Sequence, residues 1–111
     1  MADYSSSITV KNGYTSSPLT RVSYRAIQGN WVTPPRAEIP GSESDSFKLG
    51  PANNVSEGEV TYRTSSGAQI KVYFRCASGG NTVTVTPSQY ASIQSNPTGT
   101  PLVATVQVLE A

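Results

Sequence analysis

The sequence predicts an all-β fold, an antiparallel two-sheet β-sandwich, on three observations. Apolar residues recur at every second position in one run after another, the period at which a strand turns one face to a core. No apolar stripe of helical spacing lasts for about ten residues, the length a packed helix needs. Nine Gly, eight Pro and abundant Ser and Thr punctuate the runs, so turns come at short intervals.

Each element follows from its residues. Ile8 and Val10 alternate with polar residues up to Asn12-Gly13, a turn dipeptide that closes a first strand. Leu19 to Gln28 is a longer strand. Its parity sets Val22, Tyr24 and Ala26 on the core face and Arg21, Ser23 and Arg25 on the other. Trp31-Val32-Thr33-Pro34-Pro35 is a corner, because proline fixes φ and removes a ladder donor. Ala37-Glu38-Ile39 forms a short strand ended by Pro40-Gly41, and Phe47 with Leu49 marks another.

The second half repeats the pattern. Glu59 to Thr64 places Val60 and Tyr62 on one side, and Ser65-Ser66-Gly67 is a hairpin turn whose glycine takes the left-handed position. Ala68 to Cys76 aligns Ile70, Val72, Phe74 and Cys76 on one face, with Lys71, Tyr73 and Arg75 opposite. Ser78-Gly79-Gly80-Asn81 turns into Thr82 to Thr86, whose Val83 and Val85 face inward. A further strand surrounds Tyr90 to Ile93, and Leu102 to Leu109 closes the chain with Ala104, Val106 and Val108 inward. About eight strands at this spacing call for two facing sheets or a barrel, since one open sheet leaves its apolar face in water. With neither repeat nor linker, residues 1–111 read as one domain.

Composition excludes most catalytic designs. The chain has no histidine and one cysteine, so it lacks an imidazole base and cannot build a Ser-His-Asp or Cys-His nucleophile. One Cys supplies neither a disulfide nor a zinc site. The serines have no Gly-x-Ser-x-Gly elbow. The expectation is a protein that is not an enzyme and needs no cofactor. A net charge of +1 argues against nucleic acid held by bulk electrostatics.

The opening Met-Ala-Asp-Tyr-Ser-Ser-Ser has neither the charged nor the apolar region of a secretory signal, and no stretch approaches the roughly 18 apolar residues of a membrane span. The expected location is the producing cell's cytoplasm, or outside it after release without a signal peptide. Attachment to a target membrane would then be peripheral. Asn54-Val55-Ser56 is a chance sequon in a loop.

Several segments carry a family likeness. The chain has an Ile-x-Val-x-Asn strand at Ile8–Asn12, then Gly29-Asn30-Trp31, Pro34-Pro35, Ile39-Pro40-Gly41 and Phe47. Ser56-Glu57-Gly58-Glu59-Val60 follows, then Val72-Tyr73-Phe74-Arg75-Cys76-Ala77-Ser78-Gly79-Gly80-Asn81-Thr82, and last Ala104-Thr105-Val106-Gln107-Val108. Taken in this order over nearly the whole chain, they resemble the aegerolysin family and its insecticidal crystal-protein-like relatives. The Ser56–Val60 segment looks like that family's Thr-Glu-Gly-x-Phe/Val turn, and the Val72–Thr82 segment like its Trp-Asp-Cys-Pro…Asn-Thr signature. Phe74, Arg75 and Ala77 stand where the signature has an aromatic, an aspartate and a proline, so the chain looks like a divergent member. The resemblance implies a small β-sandwich that binds membrane lipids, notably sphingomyelin with cholesterol or ceramide phosphoethanolamine. It also implies a haemolysin-like toxin component that forms pores with a larger perforin-like partner. Members studied for lipid binding are more acidic and richer in tryptophan than this chain, which has one.

Candidate site residues come with two readings each. Trp31 either enters the lipid interface from its corner, where an amphipathic ring is favoured, or caps one end of the sandwich. Tyr14, Tyr24, Tyr73 and Tyr90 are its possible companions, and parity makes Tyr73 the surface one. Arg21 and Arg25 share one strand face, while Lys71 and Arg75 flank Tyr73 on another. If those strands are neighbours, they make a cation–aromatic surface for a phosphate headgroup. Otherwise they are a solvated outer face. The Glu43-Ser44-Asp45-Ser46 segment reads as a polar turn without calcium-loop spacing. Cys76 reads as a buried small hydrophobe. The leading function is aegerolysin-like lipid binding. The alternative is a β-sandwich interaction module, lectin-like or self-associating, without lipid activity.

Overall fold

A computed structural model describes residues 3–96 and 98–109. The strands are β1 (Ser6–Asn12), β2 (Leu19–Gln28), β3 (Asn30–Thr33), β4 (Glu38–Ile39), β5 (Ser44–Gly50), β6 (Ser56–Arg63), β7 (Gln69–Ala77), β8 (Gly80–Thr86), β9 (Ala91–Ser95) and β10 (Leu102–Val108). They form two five-stranded sheets, ordered β3-β5-β1-β10-β9 and β4-β2-β6-β7-β8. All pairs are antiparallel except β1 with β10, which run parallel from Ser6 opposite Leu102 to Asn12 opposite Val108. The predicted sandwich is present, with one parallel seam where the first and last strands meet.

Period-two patterning builds the core. Ile8 and Val10 of β1, Phe47 and Leu49 of β5, and Leu102, Ala104, Val106 and Val108 of β10 face Val60, Tyr62, Ile70, Val72, Phe74 and Cys76 of the other sheet. Burying a side chain of this size contributes about 1.5–3 kcal/mol, so the two inner faces hold the sheets together. Cys76 is inward as expected, and burial holds its thiol above the ordinary range.

Three local expectations are corrected. Trp31 and its neighbours are a strand rather than only a corner, because β3 pairs with β5 as an edge of the first sheet. Ser44-Asp45-Ser46 belongs to β5 rather than to a turn. Asp45 shares the inward parity of Phe47 and Leu49, and its carboxylate accepts the Arg36 N–H at 2.8 Å. The Ser56–Val60 segment lies inside β6, where buried Ser56 exchanges a 2.6 Å hydrogen bond with Ser6 and donates to the Tyr4 carbonyl.

One residue ties the opposite end. Buried Asn12 reaches the carbonyls of Ser17 (2.8 Å), Ile39 (3.1 Å) and Pro40 (3.2 Å) through Nδ2, and its Oδ1 accepts the Tyr14 N–H. These bonds satisfy loop backbone that strand pairing leaves open.

Candidate functional site

The β2–β3 edge is shaped by bulges. Pairing of β2 with β6 slips between Arg21 and Ser23 and again between Ala26 and Gln28, and pairing of β3 with β5 slips between Trp31 and Thr33. The unpaired residues are Val22, Ile27 and Val32, and they are 48%, 37% and 63% exposed. A bulge bends its strand and re-aims the extra side chain. Here all three extra side chains are aliphatic and lie in water. Gly29 joins the two strands across the sheets at φ +109°, where a Cβ would stand 2.1 Å from the Gly50 carbonyl oxygen. Only glycine fits both conditions.

The first bulge also corrects the parity of Arg21. Arg21 lies opposite inward Tyr62, whereas Arg25 lies opposite outward Glu59, so the two arginines occupy opposite faces of β2. The extra residue at Val22 inverts the alternation between them. Val22 accordingly leaves the core face on which simple parity set it. The Arg21 guanidinium stacks 4.3 Å from the Tyr24 ring centroid and donates to the Pro35 carbonyl at 2.5 Å.

An aromatic chain runs inward from this point. Tyr24, 42% exposed, meets Trp31 edge-on at 5.7 Å between ring centroids. Trp31 in turn meets Phe47 at 6.0 Å and Phe74 at 6.2 Å, both buried. Gly58 makes room beneath, since a Cβ there would approach Phe74 to 2.9 Å. The Trp31 ring is thus half-buried and turned into the sandwich, with Tyr24 as the exposed end of the chain. Tyr14 and Tyr90 pack against the core away from this cluster.

The outer face of the second sheet holds the remaining predicted residues. Arg25, Lys71, Tyr73 and Arg75 do share a sheet, but β6 lies between their strands. Glu57 and Glu59 of β6 therefore sit among them. Lys71 pairs with Glu59 at 2.8 Å, and Arg25 approaches the same carboxylate at 3.8 Å. Glu57 accepts hydrogen bonds from the Tyr73 hydroxyl and from Gln28. Those two bonds, Tyr73 first, lower its carboxyl below the ordinary range. Burial and then the bond to Glu57 raise the Tyr73 hydroxyl. The expected basic stripe is instead a mixed network of three cations and two carboxylates.

Sequence reasoning missed the outward turn of Val22, Ile27 and Val32 and the place of Glu57 and Glu59 among the basic side chains. The carboxylates were visible by parity, but their position between β2 and β7 required the strand order. The bulges left no signal beyond an apolar residue out of phase.

Comparison with solved structures places the fold. The chain superposes on the lipid binding protein Nakanori with a TM-score of 0.71 at 14% identity, covering 96% of this chain and 70% of that one. It superposes on IP-1A from Alcaligenes faecalis with a TM-score of 0.63, also at 14% identity, covering 96% and 92%. No family model and no curated protein matches the sequence. The shared property is the sandwich, and one protein built on it binds lipid.

Proposed function

We propose that the protein is an aegerolysin-like membrane-lipid-binding protein that docks through the β2–β3 edge. The observation that carries this reading is the exposure of Val22, Tyr24, Ile27 and Val32 along two consecutive strands, three of them, Val22, Ile27 and Val32, standing at bulges. An exposed apolar surface beside an amphipathic ring and an arginine suits the lipid interface. The likeness to a lipid binding protein supports the same reading.

Magnitudes assign the parts. Full burial of such a side chain is worth about 1.5–3 kcal/mol, and the half still exposed leaves about 1 kcal/mol each to gain. Four side chains then supply about 4 kcal/mol, equivalent to a millimolar dissociation constant. Headgroup contacts must add the rest. Arg21 beside Tyr24 offers a phosphate its remaining guanidinium donors, and Trp31 supports Tyr24 from beneath. Arg25, Lys71, Tyr73 and Arg75 contribute less, because Glu57 and Glu59 already hold part of their charge. In the two-component form of this proposal a perforin-like partner makes the pore, so the chain alone binds vesicles without releasing their contents.

Vesicle sedimentation tests the reading. Phosphatidylcholine vesicles would be compared with vesicles containing sphingomyelin and cholesterol, ceramide phosphoethanolamine, or anionic lipid. Binding to at least one composition is expected, with at least tenfold weaker binding by a Val22→Ser/Ile27→Ser/Val32→Ser variant. Binding to none of the four compositions contradicts the proposal.

A further inference from the structure

A cavity of about 230 Å³ opens where the β7–β8 turn meets the loop between β9 and β10. It lies across β6 and β7 from the β2–β3 edge. Tyr4 forms one wall, the hydroxyl residues Ser78, Thr98 and Thr100 line it, and Gly79 and Gly99 contribute bare backbone. None of its lining residues is charged, and none has an aliphatic side chain larger than alanine.

Two asparagines fix its walls. Asn81 Nδ2 donates to the carbonyls of Asn96 (2.7 Å) and Gly99 (3.0 Å), joining β8 to the loop. Asn96 Nδ2 donates to the Pro101 carbonyl at 2.8 Å, and its Oδ1 accepts the Val103 N–H at 2.8 Å. Asn81 Oδ1 is buried and has no hydrogen-bond partner among the described residues. A Cβ added at Gly79 or Gly99 would meet nothing within 4 Å, so the space is open. Walls held in place before binding reduce the ordering cost of a ligand.

We infer that this cavity binds one neutral sugar residue. Among the described lining residues a phosphate or carboxylate would find no cation, and an acyl chain would find no aliphatic wall. The volume is below the roughly 300–1,000 Å³ of pockets for drug-sized ligands, which suits a single ring. A pyranose offers hydroxyls to Ser78, Thr98, Thr100 and the glycine backbone, and its C–H face suits the Tyr4 ring. The sugar belongs either to a free glycan or to a glycolipid headgroup. This inference does not rest on docking through the β2–β3 edge.

Amide NMR titration with the methyl glycosides of glucose, galactose and mannose, alongside vesicles with and without neutral glycolipid, tests it. Binding of a free glycoside, with shifts confined to Tyr4, Ser78–Asn81 and Thr98–Thr100, supports the inference with a free glycan as source. Binding that requires glycolipid in the vesicle supports it with the headgroup as source. In either arm Ser78→Ala/Thr98→Val, two exposed positions, should weaken binding at least tenfold, and Tyr4→Ala should do so more than Tyr4→Phe. No binding in either arm overturns the inference, as does binding that these variants leave unchanged. The Val32→Ser change should leave glycoside binding intact, so loss of lipid docking and loss of sugar binding are separable.

Discussion

Tyr62 carries its hydroxyl into the core, where it has no hydrogen-bond partner among the described residues. Burial, with Asp45 adding and Arg21 subtracting, raises its pKa far above the ordinary tyrosine value. An unmade bond of this kind costs about 1–3 kcal/mol. Tyr62→Phe should therefore leave stability unchanged or raise it by about 1 kcal/mol, read from a urea midpoint. A clear loss would reveal a bond the hydroxyl makes. On the outer face, the lowered Glu57 carboxyl stabilises the fold above its unfolded value and loses that effect as pH falls through the folded one. The raised Tyr73 hydroxyl acts in the opposite direction, stabilising below its unfolded value and losing that effect as pH rises through the folded one. Tyr73→Phe should return Glu57 toward the ordinary carboxylate range in a carbon-13 carboxyl titration. An unmoved Glu57 would show that the hydroxyl is not its main partner. Such residue-level partners were illegible in the sequence, because Glu57 and Tyr73 are brought together only by the β6–β7 register.

At the scale of the element, alternation carried the reading wherever a strand is regular. β7 alternates without interruption, and its inward set of Ile70, Val72, Phe74 and Cys76 is as expected. β2 is where alternation fails. Period-two parity counts residues, and a bulge adds one residue without adding a position. Simple parity therefore sets Arg21 on the face of Arg25. In β5 the pattern falls short for a different reason, since Asp45 holds an inward position by accepting a backbone N–H, a contact no pattern of polarity reports. The Gly29 corner makes a direct prediction. Gly29→Ala adds a Cβ at positive φ against the Gly50 carbonyl and should cost about 2 kcal/mol or more, measured by thermal unfolding. Wild-type stability in that variant would mean that the corner can relax.

The whole molecule is a sandwich whose first and last strands lie side by side in one sheet, while β2 and β3 link the two sheets at one edge. The facing sheets were legible from strand number and spacing, but the parallel seam was not, since either direction would bury the same residues of β1. The core and the proposed docking edge are spatially separated. The buried residues fix the sheets, and the bulges leave aliphatic side chains outside them. Fluorescence from one relocated tryptophan tests membrane docking most directly. The chain has a single Trp, so Trp31→Phe/Val32→Trp moves the probe from the half-buried ring to the most exposed bulge. The account predicts a blue shift and quenching by brominated lipids when this variant joins vesicles that bind the wild type, with less quenching of Trp31 in the wild type. A variant that still sediments with those vesicles while its Trp at position 32 stays in water would contradict docking through the β2–β3 edge.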